Sequence, residues 1–197
     1  MSFKLFGVQI YVSFLFVALI TIMLATDRTG FMLPALFAVF AHELGHLFAM
    51  WVLECTPKRI KLIPASVQIT ASFTKRYKTD ILVSLSGPMA NILLFVTLYI
   101  NYLAFKNQVV LCYALLNIVI AAFNLLPFVG LDGGTILYTL LCKNNDINKA
   151  TVIMKIITII SSALLIAAAV ILTIKHKINI SLYIIGIYLF VMSLVKL

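Results

Sequence analysis

The sequence has little charge: Asp, Glu, Lys and Arg make up 11% of 197 residues, and 63% are hydrophobic. A soluble globular surface needs about a quarter of its residues charged, so a soluble fold is excluded. Acids are scarcest, with six Asp and Glu in all. Cysteine is sparse as well. Cys55, Cys112 and Cys142 are odd in number, lie in or beside apolar segments and form no CxxC pair. That excludes a disulfide framework and leaves them as small buried hydrophobes. Internal repeats and low-complexity linkers are also absent. With almost nothing left over for a water-soluble region, one membrane domain over residues 1–197 is expected.

What is present is a series of apolar blocks of spanning length. Six candidate spans run over about 5–25, 31–53, 81–105, 109–126 with a continuation to about 142, 151–174 and 178–195. Lys4 precedes the first block as in a signal peptide, but no clear cleavage site follows, so it reads as a retained span. The net charge of +9 does not indicate nucleic-acid binding, because the basic residues sit in short loops between apolar blocks. If the chain crosses six times, eleven of them fall on the side of the N-terminus, from Lys4 through the 58–78 cluster to Lys196. Four fall on the other side: Arg28, Lys106, Lys175 and Lys177. The positive-inside rule then places both termini in the cytoplasm of a multi-pass cell-membrane protein. The fold class expected is all-α and polytopic. A short β-hairpin or re-entrant strand lies between helices 2 and 3, because Ser66 to Phe73 alternates polar and apolar with period two.

The second span contains His42-Glu43-Leu44-Gly45-His46. Residues four apart share a helix face, so two neutral imidazoles can hold one Zn²⁺ and the glutamate can act on its water. An ionisable group inside a span costs roughly 2.5–3.5 kcal/mol, and this site concentrates three in five residues, which a purely structural role does not explain. A catalytic zinc takes a third protein ligand. His176 falls in a loop on the opposite side and Glu54 at the interface, which leaves Asp132 as the better candidate. It lies in Asn124-Leu-Leu-Pro127-Phe-Val-Gly130-Leu-Asp132-Gly133-Gly134, where Pro127 and the glycines break the fourth span. Broken backbone at membrane depth must line a cavity or pack in protein. A third motif, Ser86-Gly87-Pro88-Met89-Ala90-Asn91, opens the third span. Gly87 and Ala90 allow close helix approach. Asn91 bonds either a neighbouring helix or a substrate backbone, with packing the preferred role.

With HELGH at 42–46, SGPMAN at 86–91 and NLLPFVGLDGG at 124–134, in that order and on those spans, the chain resembles the site-2 protease family of intramembrane zinc metalloproteases, peptidase family M50. The resemblance implies His42, His46 and Asp132 as zinc ligands, Glu43 as catalytic base and Asn124 as a substrate-contacting residue. Pro127 and Asn91 join it as candidate substrate-binding residues. One Zn²⁺ per chain and a membrane-tethered protein substrate follow: a transcription-factor precursor, an anti-sigma factor or a leftover signal peptide. The layout is similar to the bacterial subgroup that includes the sporulation protease acting on a sigma-factor precursor. That subgroup commonly carries a nucleotide-sensing CBS domain after the last span. Here the sequence stops at Leu197, without a CBS domain or room for a PDZ domain, so the resemblance does not extend to ATP regulation. The competing expectation is an inactive membrane relative that binds client helices.

Overall fold

The computed structural model describes residues 2–5, 8–55, 57–63, 66–71, 77–174 and 186. The chain is mostly helical and divides into two compact units, Met1–Ala122 and Phe123–Leu197.

The first unit begins with strands. β1 (Ser2–Leu5) pairs antiparallel with β2 (Val8–Val12), in register Phe3 with Ile10 and Lys4 with Gln9. After α1 (Phe14–Thr26) and α2 (Met32–Val52) come β3 (Pro57–Ile63) and β4 (Ser66–Ala71). β2 and β3 run parallel, β3 and β4 antiparallel, and the sheet order is β1-β2-β3-β4. α3 (Tyr77–Phe105) and α4 (Gln108–Asn124) complete the unit, whose boundary falls near the end of α4.

The N-terminus therefore departs from the expected first span at 5–25. Residues 8–12 are a strand, and the helix begins only at Phe14. The physical reason is the ambiguity of a short apolar run. Val8, Ile10, Tyr11 and Val12 are β-branched or aromatic, and such a run suits a strand as well as a helix once a partner such as β3 is at hand. The remaining helix has 13 residues, about 20 Å at 1.5 Å per residue and short of a 30 Å hydrocarbon layer. Among the described residues, three helices are long and apolar enough to cross a membrane: Met32–Val52, Tyr77–Phe105 and Ile147–Ile171. The expected span at 178–195 lies outside the described residues.

Asp27 organises the turn between α1 and α2. Its Oδ1 accepts hydrogen bonds from the Thr29 amide (2.8 Å), the Thr29 hydroxyl (2.6 Å) and the Gly30 amide, and its Oδ2 accepts from the Met32 amide at 2.9 Å. Those donors, led by the Thr29 hydroxyl, hold its carboxyl below the ordinary value of 3.8. Gly30 takes φ +73°, where a side chain is disfavoured. At the other end of α2 the Cys55 amide bonds back to the Met50 carbonyl at 2.8 Å, with Glu54 in the left-handed region at φ +56°. This is a Schellman-type stop.

The helices are small and polar where buried, large and apolar where exposed. α2 buries Ala38, His42, His46 and Met50, one per turn, and exposes Phe37, Phe40, Phe48 and Trp51. α4 buries Ala114, Asn117 and Ala121. In lipid, burying apolar surface gives no association energy, so close packing of small groups and interhelical hydrogen bonds hold the helices together. Gly45 shows how close α2 and α3 come. A Cβ there would lie 2.5 Å from the Ser86 carbonyl and 2.9 Å from the Ala90 Cβ.

The second unit holds α5 (Asp132–Asn144) and α6 (Ile147–Ile174), which pack on each other. α6 follows the same rule as α2. Ala150, Met154, Thr158, Ser162 and Ala169 are buried, while Val152, Ile156, Ile160 and Leu164 are exposed.

Candidate metal centre

The 3.6-residue helix repeat puts His42 and His46 on the buried face of α2, at 4% and 8% exposure. Each ring is fixed by its Nδ1. His42 Nδ1 lies 2.9 Å from Asn91 Oδ1 on α3, and His46 Nδ1 lies 2.8 Å from the Val83 carbonyl oxygen. A carbonyl only accepts, so His46 Nδ1 carries the proton and Nε2 a lone pair. The Asn91 amide is oriented by its own Nδ2, which donates to the Ala38 carbonyl (3.1 Å) and to Asn117 Oδ1 (3.0 Å). Its Oδ1 therefore faces His42, and His42 adopts the same tautomer.

The two Nε2 atoms stand 3.2 Å apart. Two lone pairs at that distance repel unless a Lewis acid or a proton lies between them. Two nitrogens each about 2.0–2.1 Å from one tetrahedral zinc are about 3.3 Å apart, so the pair fits that metal. Asn91 and Val83 supply the outer hydrogen bonds that fix a metal-binding imidazole. Glu43 is half-buried, about 100° around α2 from its neighbour His42.

Gly87 has a more specific role than the helix contact expected of it. A Cβ at this position would overlap Nε2 and Cε1 of His46 and Nε2 of His42. The imidazoles lie directly against the α3 backbone, and only glycine leaves room for their two Nε2 atoms. Asn91 is fully buried, and its amide is engaged by α2 and α4 as well as by His42. Glu54 is exposed beyond α2, and His176 lies outside the described residues.

In the second unit, the broken stretch after α4 turns twice. The Phe128 amide bonds the Leu126 carbonyl at 2.8 Å across Pro127, whose fixed φ suits so tight a turn. The Leu131 amide then bonds the Phe128 carbonyl, with Gly130 at φ +93° in the third position of a type II-like turn. Buried Thr158 of α6 accepts from the Val129 amide at 3.3 Å and holds the loop. A Cβ on Gly133 would overlap the Leu125 carbonyl, and one on Gly134 the Phe128 carbonyl. The loop is thus folded tightly over the first turn of α5, and Asp132, half-buried, is the residue that begins that helix. Asn124 ends α4 and Pro127 sits mid-loop, both half-buried.

No protein-family model matches the chain. A zinc metalloprotease of Methanocaldococcus jannaschii is 26% identical over 162 residues, which cover 76% of this chain and 47% of that protein. The chain thus spans about half the length of the curated relative it matches. Among solved structures, a site-2 protease from Methanocaldococcus jannaschii superposes with TM-score 0.72 at 21% identity, over 98% of this chain and 94% of that one. The fold is that of a site-2 protease, and the resemblance carried by the motifs at 42–46, 86–91 and 124–134 is borne out.

Proposed function

We propose that this chain is a zinc-dependent intramembrane endopeptidase that cleaves a membrane-tethered protein near the cytoplasmic face, in regulated intramembrane proteolysis. The observation that carries the reading is the pair of imidazoles on α2. Their outer nitrogens are both engaged and their inner ones 3.2 Å apart, on a helix fit to cross a membrane. The similarity to a zinc metalloprotease agrees with it.

In this reading residues 1–197 act as one protease domain, with both termini in the cytoplasm. From the motifs at 42–46 and 124–134 and the family they resemble, we assign His42, His46 and Asp132 to one Zn²⁺. When bound, the metal supplies Lewis-acid activation of a water and of the scissile carbonyl. Glu43 takes the proton from the attacking water and delivers it to the departing amine nitrogen. Asn124 and Pro127 bind the substrate backbone. A substrate helix hides its carbonyls in its own hydrogen bonds and must unwind to be cut. β4 is an edge strand of the described sheet, so the unwound segment can add to it.

Glu43→Gln tests the assignment. Cleavage should fall by about 10²–10⁴-fold, the range for a lost general acid-base, with zinc content unchanged. Equal cleavage by Glu43→Gln and wild type in the cell would refute it.

A further inference from the structure

Beyond the ligands and the base lies a chain of hydrogen bonds with a direction. It starts at the Tyr113 carbonyl of α4, which accepts from Asn117 Nδ2 at 3.0 Å. A backbone carbonyl cannot donate, so the NH₂ end of Asn117 is fixed there and its Oδ1 points the other way. Asn117 Oδ1 accepts from Asn91 Nδ2 at 3.0 Å. The second proton of that NH₂ goes to the Ala38 carbonyl of α2. Asn91 Oδ1 is left facing His42 Nδ1 at 2.9 Å.

The asymmetry between the two histidines gives this chain its importance. His46 Nδ1 faces a backbone carbonyl, which admits only one tautomer. His42 Nδ1 faces a side-chain amide, and a rotated amide would present NH₂ instead of oxygen. His42 would then have to accept at Nδ1 and carry its proton on Nε2, the atom that faces His46. Rotation in the intact protein would set Asn91 Oδ1 against two acceptors, Ala38 O and Asn117 Oδ1. Asn117 provides one of those two barriers. It is 5% exposed, and its amide is already engaged at both ends.

We propose that Asn117 is a positioning residue for the metal centre, setting through Asn91 the His42 tautomer that leaves Nε2 free of a proton. The inference rests on His42 being a zinc ligand for its consequence, but its first readout needs no metal. Hydrogen-bonded amides polarise one another, so the string from Tyr113 to His42 acts as a unit. Groups that hydrogen-bond the outer nitrogen of a metal-bound histidine typically contribute about 10–100-fold in metal affinity. Asn91 falls in that range, and Asn117, one step further out, near its lower end.

The test uses the full-length chain in detergent with ¹⁵N-labelled imidazoles, of which the sequence has only three, at His42, His46 and His176. In metal-free wild type both His42 and His46 should show the Nδ1–H tautomer. In Asn117→Leu a second tautomer should appear at His42 while the His46 signals stay in place, and zinc affinity by chelator competition should fall about tenfold. Displacement of both histidines would mark general disruption and overturn the specific role. If Asn117→Leu does not fold, Asn117→Ala, which adds no bulk, is read the same way. A single Nδ1–H tautomer at His42 with wild-type zinc affinity overturns the proposal and leaves the protease reading intact. A tautomer change in Asn117→Leu beside a wild type that takes up no zinc overturns the protease reading and leaves the hydrogen-bond chain intact.

Discussion

Gly87 on α3 lies against the His46 ring, so near that a single added carbon would overlap Nε2 and Cε1. It also reaches Nε2 of His42. A backbone atom thus forms one wall of the centre, and its surroundings admit no side chain.

Gly87→Ala should therefore act on the metal before it acts on the fold. A ring pushed away from this carbon strains the His46 Nδ1 bond to the Val83 carbonyl. Loss of such an outer hydrogen bond costs about 10–100-fold in metal affinity. Zinc content after dialysis against a weak chelator should drop, while the helical circular-dichroism signal in detergent is retained. Full zinc retention would show that the rings are not pinned as described.

Gly134→Ala should damage the second unit. A Cβ here would meet the Phe128 carbonyl, and Phe128 is almost completely buried. Overpacking of this kind costs about 1–3 kcal/mol, read as a lower unfolding temperature in detergent. Ala substituted at exposed Thr135, next in sequence, should cost far less.

Asp27 gives a pH dependence with a definite sign. Its folded carboxyl titrates below the ordinary 3.8, so the charged form is the one the turn stabilises. The contribution is fully present above the unfolded value and is lost as pH falls through the lowered folded value. Asp27→Asn should unfold at a lower temperature than wild type at neutral pH. That difference should close once the pH drops below the folded carboxyl's value. A gap that persists unchanged into acid would mean the carboxylate charge contributes nothing.

Much of the metal centre was legible because its chemistry is expensive in a membrane. Three ionisable residues in five on an apolar span demand a partner. The four-residue spacing by itself fixes the shared face of His42 and His46. Pro127 and Gly130 marked the break before Asp132 for the same reason, since each forces a particular backbone. The N-terminal strands were not legible. Residues 8–12 are as apolar as the start of a span, and it is their pairing with β1 and with β3, some fifty residues away, that makes them a strand. Asn117 gave no local signal either. A lone asparagine on an apolar helix reads as generic polar glue or as channel lining, and its place in the chain to His42 appears only when α2, α3 and α4 are brought together. The close fit at Gly45 was hidden for a similar reason, because clearance between helices is a property of two segments.

The most direct measurement is zinc binding to purified wild-type chain and to His42→Ala, His46→Ala and Asp132→Ala, by metal analysis and chelator competition in detergent. The account requires one zinc per wild-type chain and a loss of at least about 100-fold in affinity for each variant, beyond what an outer-shell change costs. Wild-type protein that takes up no zinc, or Asp132→Ala that holds it as tightly as wild type, would contradict it.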